Sequence, residues 1–344
     1  MVMVHMHAAS TPQALLWAYL LSPNGETKTI EAKAIPDALA QCSFSDEYLW
    51  LHVQSDAEDA GTLLQSSGLH QTVIDSLLAL ETRPRAMTLH QGTLVYLRGI
   101  NKNPDADPED MVSLRTWYNK NIIVSARRKN RRLASIQNLR DEIASAQVPI
   151  SPSALLLNMI AKVADTILDT VDEMDESLVG FETREQLRKE DRQNLSIVRR
   201  QAASIRRYLA PQRDALDALL RLPDALSQNQ SFELREQTDR MSRYVEDMDL
   251  LRERAIVLQD ELRNRIAEQQ GVRMYVLSMV TAIFLPLSMI LSAAFTSALP
   301  PTDVEREPKV PIPMVALSVS PSTTSIFSIG TPSRSEIIWA MVVS

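Results

Sequence analysis

Apolar residues recur along this chain at two different spacings. As far as Pro149 they come in short runs closed by turn formers, and beyond it they return every three or four residues over long stretches. The runs at 15–21 and 48–53 predict strands, the first closed by Ser22-Pro23-Asn24-Gly25, because short apolar runs bounded by Gly, Pro and Asn fit a sheet. Leu63, Leu64, Val73, Ile74, Leu77 and Leu78 fall at helical spacings on either side of Gly68 and predict two short helices. The runs at 87–89, 93–100, 112–118 and 122–126 predict consecutive strands, separated by Gln91-Gly92, by the Pro- and Asp-rich segment 101–110 and by 119–121. Strands in succession, with helices grouped before and after, predict a mixed α/β layer domain.

The second spacing begins at Ser151-Pro152, a helix start with Ser as N-cap and Pro in the first helical position. Leu155, Met159, Val163, Ile167, Val171, Met174 and Leu178 then predict one long helix, and Leu195, Val198, Ala202, Ile205 and Leu209 a second that passes Pro211 and reaches Leu220. A third begins near Phe232. In it Met241, Met248, Ala255 and Leu262 step by seven with Tyr244, Leu251 and Leu258 between them, a coiled-coil-like seam. A seam of this kind is buried against neighbours, and we expect it to bind other copies of the chain. Carried helically to Leu299 the segment would span on the order of 100 Å, which marks it as a stalk rather than part of a compact domain.

That helix runs into MYVLSMVTAIFLPLSMILSAAFTSAL, residues 274–299, which contain no formal charge. A bilayer core needs about 20 such residues, so a transmembrane helix is expected. Met274, Leu277, Thr281, Leu285 and Ser288 form one heptad-like stripe on it, which fits either helix packing or a pore wall. Pro286 would break a helix in water but is tolerated in a membrane where neighbours satisfy the freed carbonyl.

Composition changes this picture little. Hydrophobic residues make up 45% and charged residues 23% of the 344, enough for a buried core rather than disorder. A net charge of −7 argues against nucleic acid as a partner, and the single Cys42 against a disulfide framework. Residues 1–7 have neither the basic start nor the apolar core of a secretory signal, so the first 270 residues are expected in the cytoplasm. No GxGxxG, GxxxxGK[ST], Gly-x-Ser-x-Gly or metal-spaced Cys/His cluster occurs, so neither an enzyme nor a bound cofactor is expected.

The segment RMYVLSMVTAIFLPLS (273–288), preceded by the charged stalk, resembles the first membrane helix of CorA-type divalent-cation transporters, and within them the zinc-transporting ZntB-like branch. Leu209-Ala210-Pro211-Gln212-Arg213-Asp214 and the segment 252–262 resemble cytoplasmic helices of the same family. The resemblance runs over residues 15–290 and implies a subunit of a homopentamer in the inner (plasma) membrane, with a cytoplasmic N-terminal part. It implies zinc, or magnesium, as the transported ion and membrane lipid as surroundings. The implied pore-lining residues are Met274, Leu277, Thr281, Leu285 and Ser288, which is the stripe read above.

One departure stands out. The family's Gly-x-Asn at the pore mouth would fall at Phe295-Thr296-Ser297, where neither Gly nor Asn occurs. Within 310–329 an uncharged stretch is interrupted by Pro311, Pro313 and Pro321, and 337–343 is too short to span a bilayer. From Met289 the sequence resembles nothing in the family, as a shifted reading frame would. A membrane-anchored oligomeric scaffold, or a non-functional truncated transporter product, is the alternative.

Other groups read as ordinary surface or core. His5 and His7 lack a third ligand, and His52, His70 and His90 are scattered in sequence. The acidic run 172–176, with Asp165 and Asp169 before it, fits a solvated helix face or a field that gathers cations. Arg127, Arg128, Lys129, Arg131 and Arg132 fit a solvated turn, and Asp260 occupies the place of the family's metal-sensing stalk carboxylate.

The fold class expected is α+β: an N-terminal α/β/α layer domain, long antiparallel helices, and a stalk helix continuing into a transmembrane helix. The expected divisions are an α/β domain over 1–150, a helical pair over 151–230, the stalk over 231–273, the membrane helix over 274–299 and a disordered tail over 300–344.

Overall fold

The computed structural model describes residues 14–298 apart from residues 81, 146, 147, 185–187 and 189. The His5 and His7 pair, the side chains at 295–297 and the expected tail over 300–344 lie outside the described residues.

The elements follow in the order β1 (Leu15–Leu21), β2 (Thr27–Thr29), α1 (Ile35–Cys42), β3 (Tyr48–Gln54), α2 (Ala60–Ser66), α3 (Gln71–Leu78), β4 (Arg85–Leu89), β5 (Gly92–Gly99), β6 (Val112–Tyr118), β7 (Ile122–Arg127) and α4 (Ala134–Ala144). Three long helices come after them: α5 (Pro152–Glu182), α6 (Asp191–Leu220) and α7 (Gln228–Ala298). Every strand and helix expected from the apolar spacing is present. The sequence reading lacked β2, α1 and α4, because three residues of Thr-Lys-Thr carry no apolar signal and the two helices are too short to show a clear period.

The strands form one sheet in the order β2-β1-β3-β7-β6-β5-β4. Only β3 and β7 run parallel, with Trp50 opposite Ile123 and Val53 opposite Ala126. They sit at the centre, and all six residues of β7 are buried, which explains why both read as nearly continuous apolar runs rather than as alternation. One face of the sheet presents Leu49, Leu51 and Leu94 to α1, α2 and α3, where Ile35, Leu64, Ile74 and Leu77 complete the core. The other face presents Trp50, Val95 and Leu97 to α4 and the long helices. The architecture is therefore an α/β/α sandwich joined to long helices.

Local chemistry fixes the helix starts and the tight packing. Ser151 Oγ accepts a hydrogen bond from the Ala154 N–H at 3.1 Å, capping α5 with Pro152 in its first turn. A Cβ on Gly92 would lie 2.5 Å from the Trp117 ring and 2.6 Å from the Tyr118 carbonyl, so the β5 start admits only glycine.

The seam on α7 is buried, but within this chain. Met241, Met248, Leu251 and Ala255 join the same core as Leu155, Val163 and Met174 of α5 and Ile205 and Leu209 of α6. Ion pairs flank it: Arg240 to Asp165 at 2.7 Å, Arg206 to Asp249 at 2.6 Å, and Arg254 to both Asp175 and Glu182. This corrects the expectation that the seam binds other copies. Its heptad spacing is satisfied by α5 and α6, since an apolar stripe specifies burial but not whose side chains supply it. The chain divides into two compact units after Val276, a point within α7.

Candidate cation pathway

All five candidate pore residues lie on α7, at successive steps of three, four, four and three residues. Met274, Leu277 and Leu285 are 63%, 61% and 58% exposed, so no described residue covers the stripe. The apolar neighbours Tyr275, Val276, Ile283, Phe284 and Leu287 are exposed too. Contiguous apolar surface of this extent is unstable in water and has to be covered. Among the described residues α7 contains the one segment long and apolar enough to cross a bilayer.

The stripe's polarity comes from two hydroxyls that the helix itself orients. Thr281 Oγ1 donates to the Leu277 carbonyl at 2.8 Å, and Ser288 Oγ donates to the Leu285 carbonyl at 2.9 Å. Each hydroxyl proton is thereby engaged by the helix, and only oxygen lone pairs face outward. Pro286 has no N–H, so it leaves the Ala282 carbonyl without its usual helical donor. A shallow groove of about 460 Å³ runs along this helix between Leu277 and Pro286, with Ser278, Thr281, Ala282 and Leu285 in its wall. Ser278, Ala282 and Pro286 were not among the expected site residues. The groove presents the Thr281 acceptor oxygen, the Ser278 hydroxyl and apolar groups, and no charge.

Half of the acidic residues singled out on α5 are paired. Asp165 binds Arg240, Asp169 lies 3.5 Å from Lys102, and Asp175 binds Arg254. Asp172, Glu173 and Glu176 carry no salt bridge among the described residues. Asp172, with Asp175, acts on Asp247 of α7, a pairing that the sequence reading did not make. Asp247 is held above the ordinary carboxylate range, first by burial and then by Glu246, Asp175 and Asp172. Asp260 pairs with Arg263 at 3.2 Å along its own helix. No group of three or more metal-binding side chains occurs among the described residues.

The histidines are less scattered than their numbers imply. His70 and His90 stack with ring centroids 3.6 Å apart, brought together by the α3 start and the β4–β5 turn. His52 is buried, stacks on Trp17 at 4.0 Å, and has Nδ1 2.7 Å from Ser125 Oγ. Burial, reinforced by Arg127 and Arg140, holds its pKa well below the ordinary value, so the ring is neutral. Of the basic run, Arg127 is buried and the turn that follows binds Asp56 and Asp110 through Arg128 and Arg131.

A sheet sandwich, three long helices and an uncharged helix end form a combination that comparison with known proteins resolves. The sequence profile of the family described as "CorA-like Mg2+ transporter protein" matches residues 45–292. The chain belongs to this family. It is 33% identical over 289 residues to the divalent cation transporter CmaX of Pseudomonas aeruginosa, covering 81% of this chain and 84% of that one. It is 28% identical over 279 residues to the zinc transport protein ZntB of Yersinia enterocolitica, covering 80% and 82%. The structure of full-length CmaX superposes with a TM-score of 0.73 at 30% identity, over 82% of this chain and 86% of that one. The CorA magnesium transporter of Methanocaldococcus jannaschii shares the fold, with a TM-score of 0.67 at 14% identity over 80% and 86%. CorA-family membership makes this protein a membrane divalent-cation transporter of the CorA and ZntB kind, and not an enzyme. The family match ends at residue 292, close to where the resemblance in sequence stops.

Proposed function

We propose that this chain is one subunit of a homopentameric transporter of zinc, or magnesium, whose pore wall is Met274, Leu277, Thr281, Leu285 and Ser288. The observation that carries the reading is the acceptor-only stripe on an uncharged, uncovered helix. A divalent cation keeps its inner waters because stripping them is costly, and those waters donate hydrogen bonds outward. Hydroxyls whose protons are engaged in the helix receive such donors and offer none to an anion. One helix supplies a single wall, so several copies are needed to enclose a path. Leu250 and Val257, seven residues apart on α7 and 53% and 61% exposed, supply apolar surface for that self-association outside the intrachain seam.

The N-terminal domain is placed in the cytoplasm, with the inner membrane as the location. Arg263, Arg265 and Arg273 precede the uncharged segment, and the positive-inside rule keeps that side cytoplasmic. An alkaline phosphatase reporter fused at Met1 should be inactive, and a cytoplasmic fluorescent reporter there active; the reverse pattern would overturn the orientation.

We further infer that conduction is impaired. Phe295-Thr296-Ser297 stands where the family resemblance implies Gly-x-Asn, and residues 300–344 contain no uninterrupted apolar span. An ion entering a pore needs aligned carbonyl and amide oxygens at the mouth. In liposomes the chain should take up zinc or magnesium about tenfold or more slowly than a version with a Gly-x-Asn loop and second membrane helix grafted after Ser288. In the grafted version Thr281→Val should slow uptake and Thr281→Ser should not. Saturable uptake by the ungrafted chain at the grafted rate would refute the impairment. Grafted pentamers that conduct nothing would refute the assigned pore wall.

A further inference from the structure

Where α6 crosses the β4–β5 edge of the sheet, a cavity of about 670 Å³ opens. Its polar lining consists of Arg83, Arg98, Arg207, Tyr208 and Thr82, and two prolines, Pro84 and Pro211, form apolar wall. Among the described residues the lining includes three guanidinium groups and no carboxylate. Among the described residues none of the three arginines makes a salt bridge, although Arg128, Arg131, Arg140 and Arg200 nearby in the sequence all do.

Arg98 is the central group. Its Nη1 donates to the Met111 carbonyl at 2.9 Å and its Nη2 to the Thr82 carbonyl at 2.7 Å, which fixes the guanidinium by neutral acceptors only. Its Nε is buried with no partner among the described residues. Asp110, the acid shown acting on it, is already bound by Arg131. Burial holds the Arg98 pKa below the ordinary guanidinium range, and Arg131 and Arg207 push the same way. Tyr208 ties the cavity together: Arg98 and Arg207 each lie 4.9 Å from its ring centroid, and Arg207 Nη2 donates to its hydroxyl at 2.9 Å. A fixed, half-buried cation with no salt-bridge partner among the described residues is costly, and an anion brought to it recovers that cost.

We propose that this cavity is a binding site for an oligophosphate anion, either an inorganic diphosphate or the phosphate chain of a nucleotide. Three guanidiniums match a ligand with several negative charges and planar pairs of oxygens, which arginine grips two at a time. A halide carries one charge and would occupy a small part of the volume, whereas pockets of about 300–1,000 Å³ hold small organic ligands. The prolines offer apolar contact for a nucleoside, and the tyrosine hydroxyl, which accepts from Arg207, keeps its own proton to donate to a phosphate oxygen. The site lies wholly within the cytoplasmic-type α/β and helical unit, so it does not depend on the pore assignment.

The test is calorimetric titration of the full chain in detergent, with EDTA present to remove divalent metal. The probes are sodium pyrophosphate, ATP, inorganic phosphate and sodium chloride. Pyrophosphate or ATP should bind saturably, with Kd on the order of micromolar, and phosphate and chloride about tenfold or more weaker. If ATP and pyrophosphate bind alike, the ligand is the phosphate chain alone; if ATP binds better, it is a nucleotide. Arg83 and Arg207 are exposed and free to change without disturbing the fold, so the double variant Arg83→Gln/Arg207→Gln keeps the test independent of folding and should lose about tenfold or more in affinity. Arg98→Met is the stronger but riskier variant. No heat with either oligophosphate, equal binding by phosphate or chloride, or undiminished binding by the double variant would each overturn the proposal.

Discussion

Asp191 shows how one side chain connects the long helices. It accepts from the Arg188 N–H and from Arg184 Nη1, both at 2.7 Å, at the start of α6, with its side chain almost wholly buried. The Arg188 backbone bond, with Arg184 adding to it, holds its carboxyl below the ordinary carboxylate range. A depressed folded pKa means that the stabilisation is complete above the unfolded pKa of about 3.9 and is lost as pH falls through the lower folded value. Urea titrations of Asp191→Asn should therefore show a midpoint below the parent's by a constant amount at neutral pH. That gap should close below about pH 4 as the parent's carboxyl protonates. A gap that stayed constant down to acid pH would mean that packing, not charge, sets the effect. Gly92 is the opposite kind of residue, one whose whole contribution is the side chain it lacks beside Trp117.

Among the elements, α7 is the one whose two faces have different obligations. Met248 is fully buried in the intrachain core, whereas Val257 is exposed on the same helix. Met248→Ala should cost about 2–5 kcal/mol by removing buried contacts and leaving a cavity. Val257→Ser should change monomer stability by no more than about 0.5 kcal/mol, yet shift the assembly toward smaller species in mass photometry. If Val257→Ser leaves assembly intact, the copies meet elsewhere. The sequence made this helix legible apart from its first turn, which starts at Gln228 rather than near Phe232: its seam and its uncharged end follow from local spacing, as the Ser151 cap of α5 follows from local chemistry. What covers the seam was not legible, since Met241 and Leu251 state only that they are buried. The same limit hid the stack of His70 on His90 and the cavity at Arg98, Arg207 and Tyr208, each built from segments distant in sequence. Thr281 and Ser288 stood out as polar residues in an apolar stripe, but that their protons turn back into the helix appears only in the coordinates.

For the molecule as a whole, the order of construction follows from where the seam is buried. In a coiled coil between subunits, folding and association are one event, and the rate depends on how often two chains meet. Here α5, α6 and α7 close over Met241, Met248 and Leu251 of the same chain, so their folding is first order. The cytoplasmic unit can finish before it meets another copy. Refolding of the detergent-solubilised chain, followed by Trp50 and Trp117 fluorescence, should show a main phase whose rate is unchanged over a tenfold range of protein concentration, with any concentration-dependent phase slower and separate. A main phase that quickens in proportion to concentration would mean that the seam is completed between chains after all. First-order completion also gives the cell a monomer that is already finished and waiting. The number of assembled transporters is then set by the supply of chains in the membrane rather than by how fast each one folds.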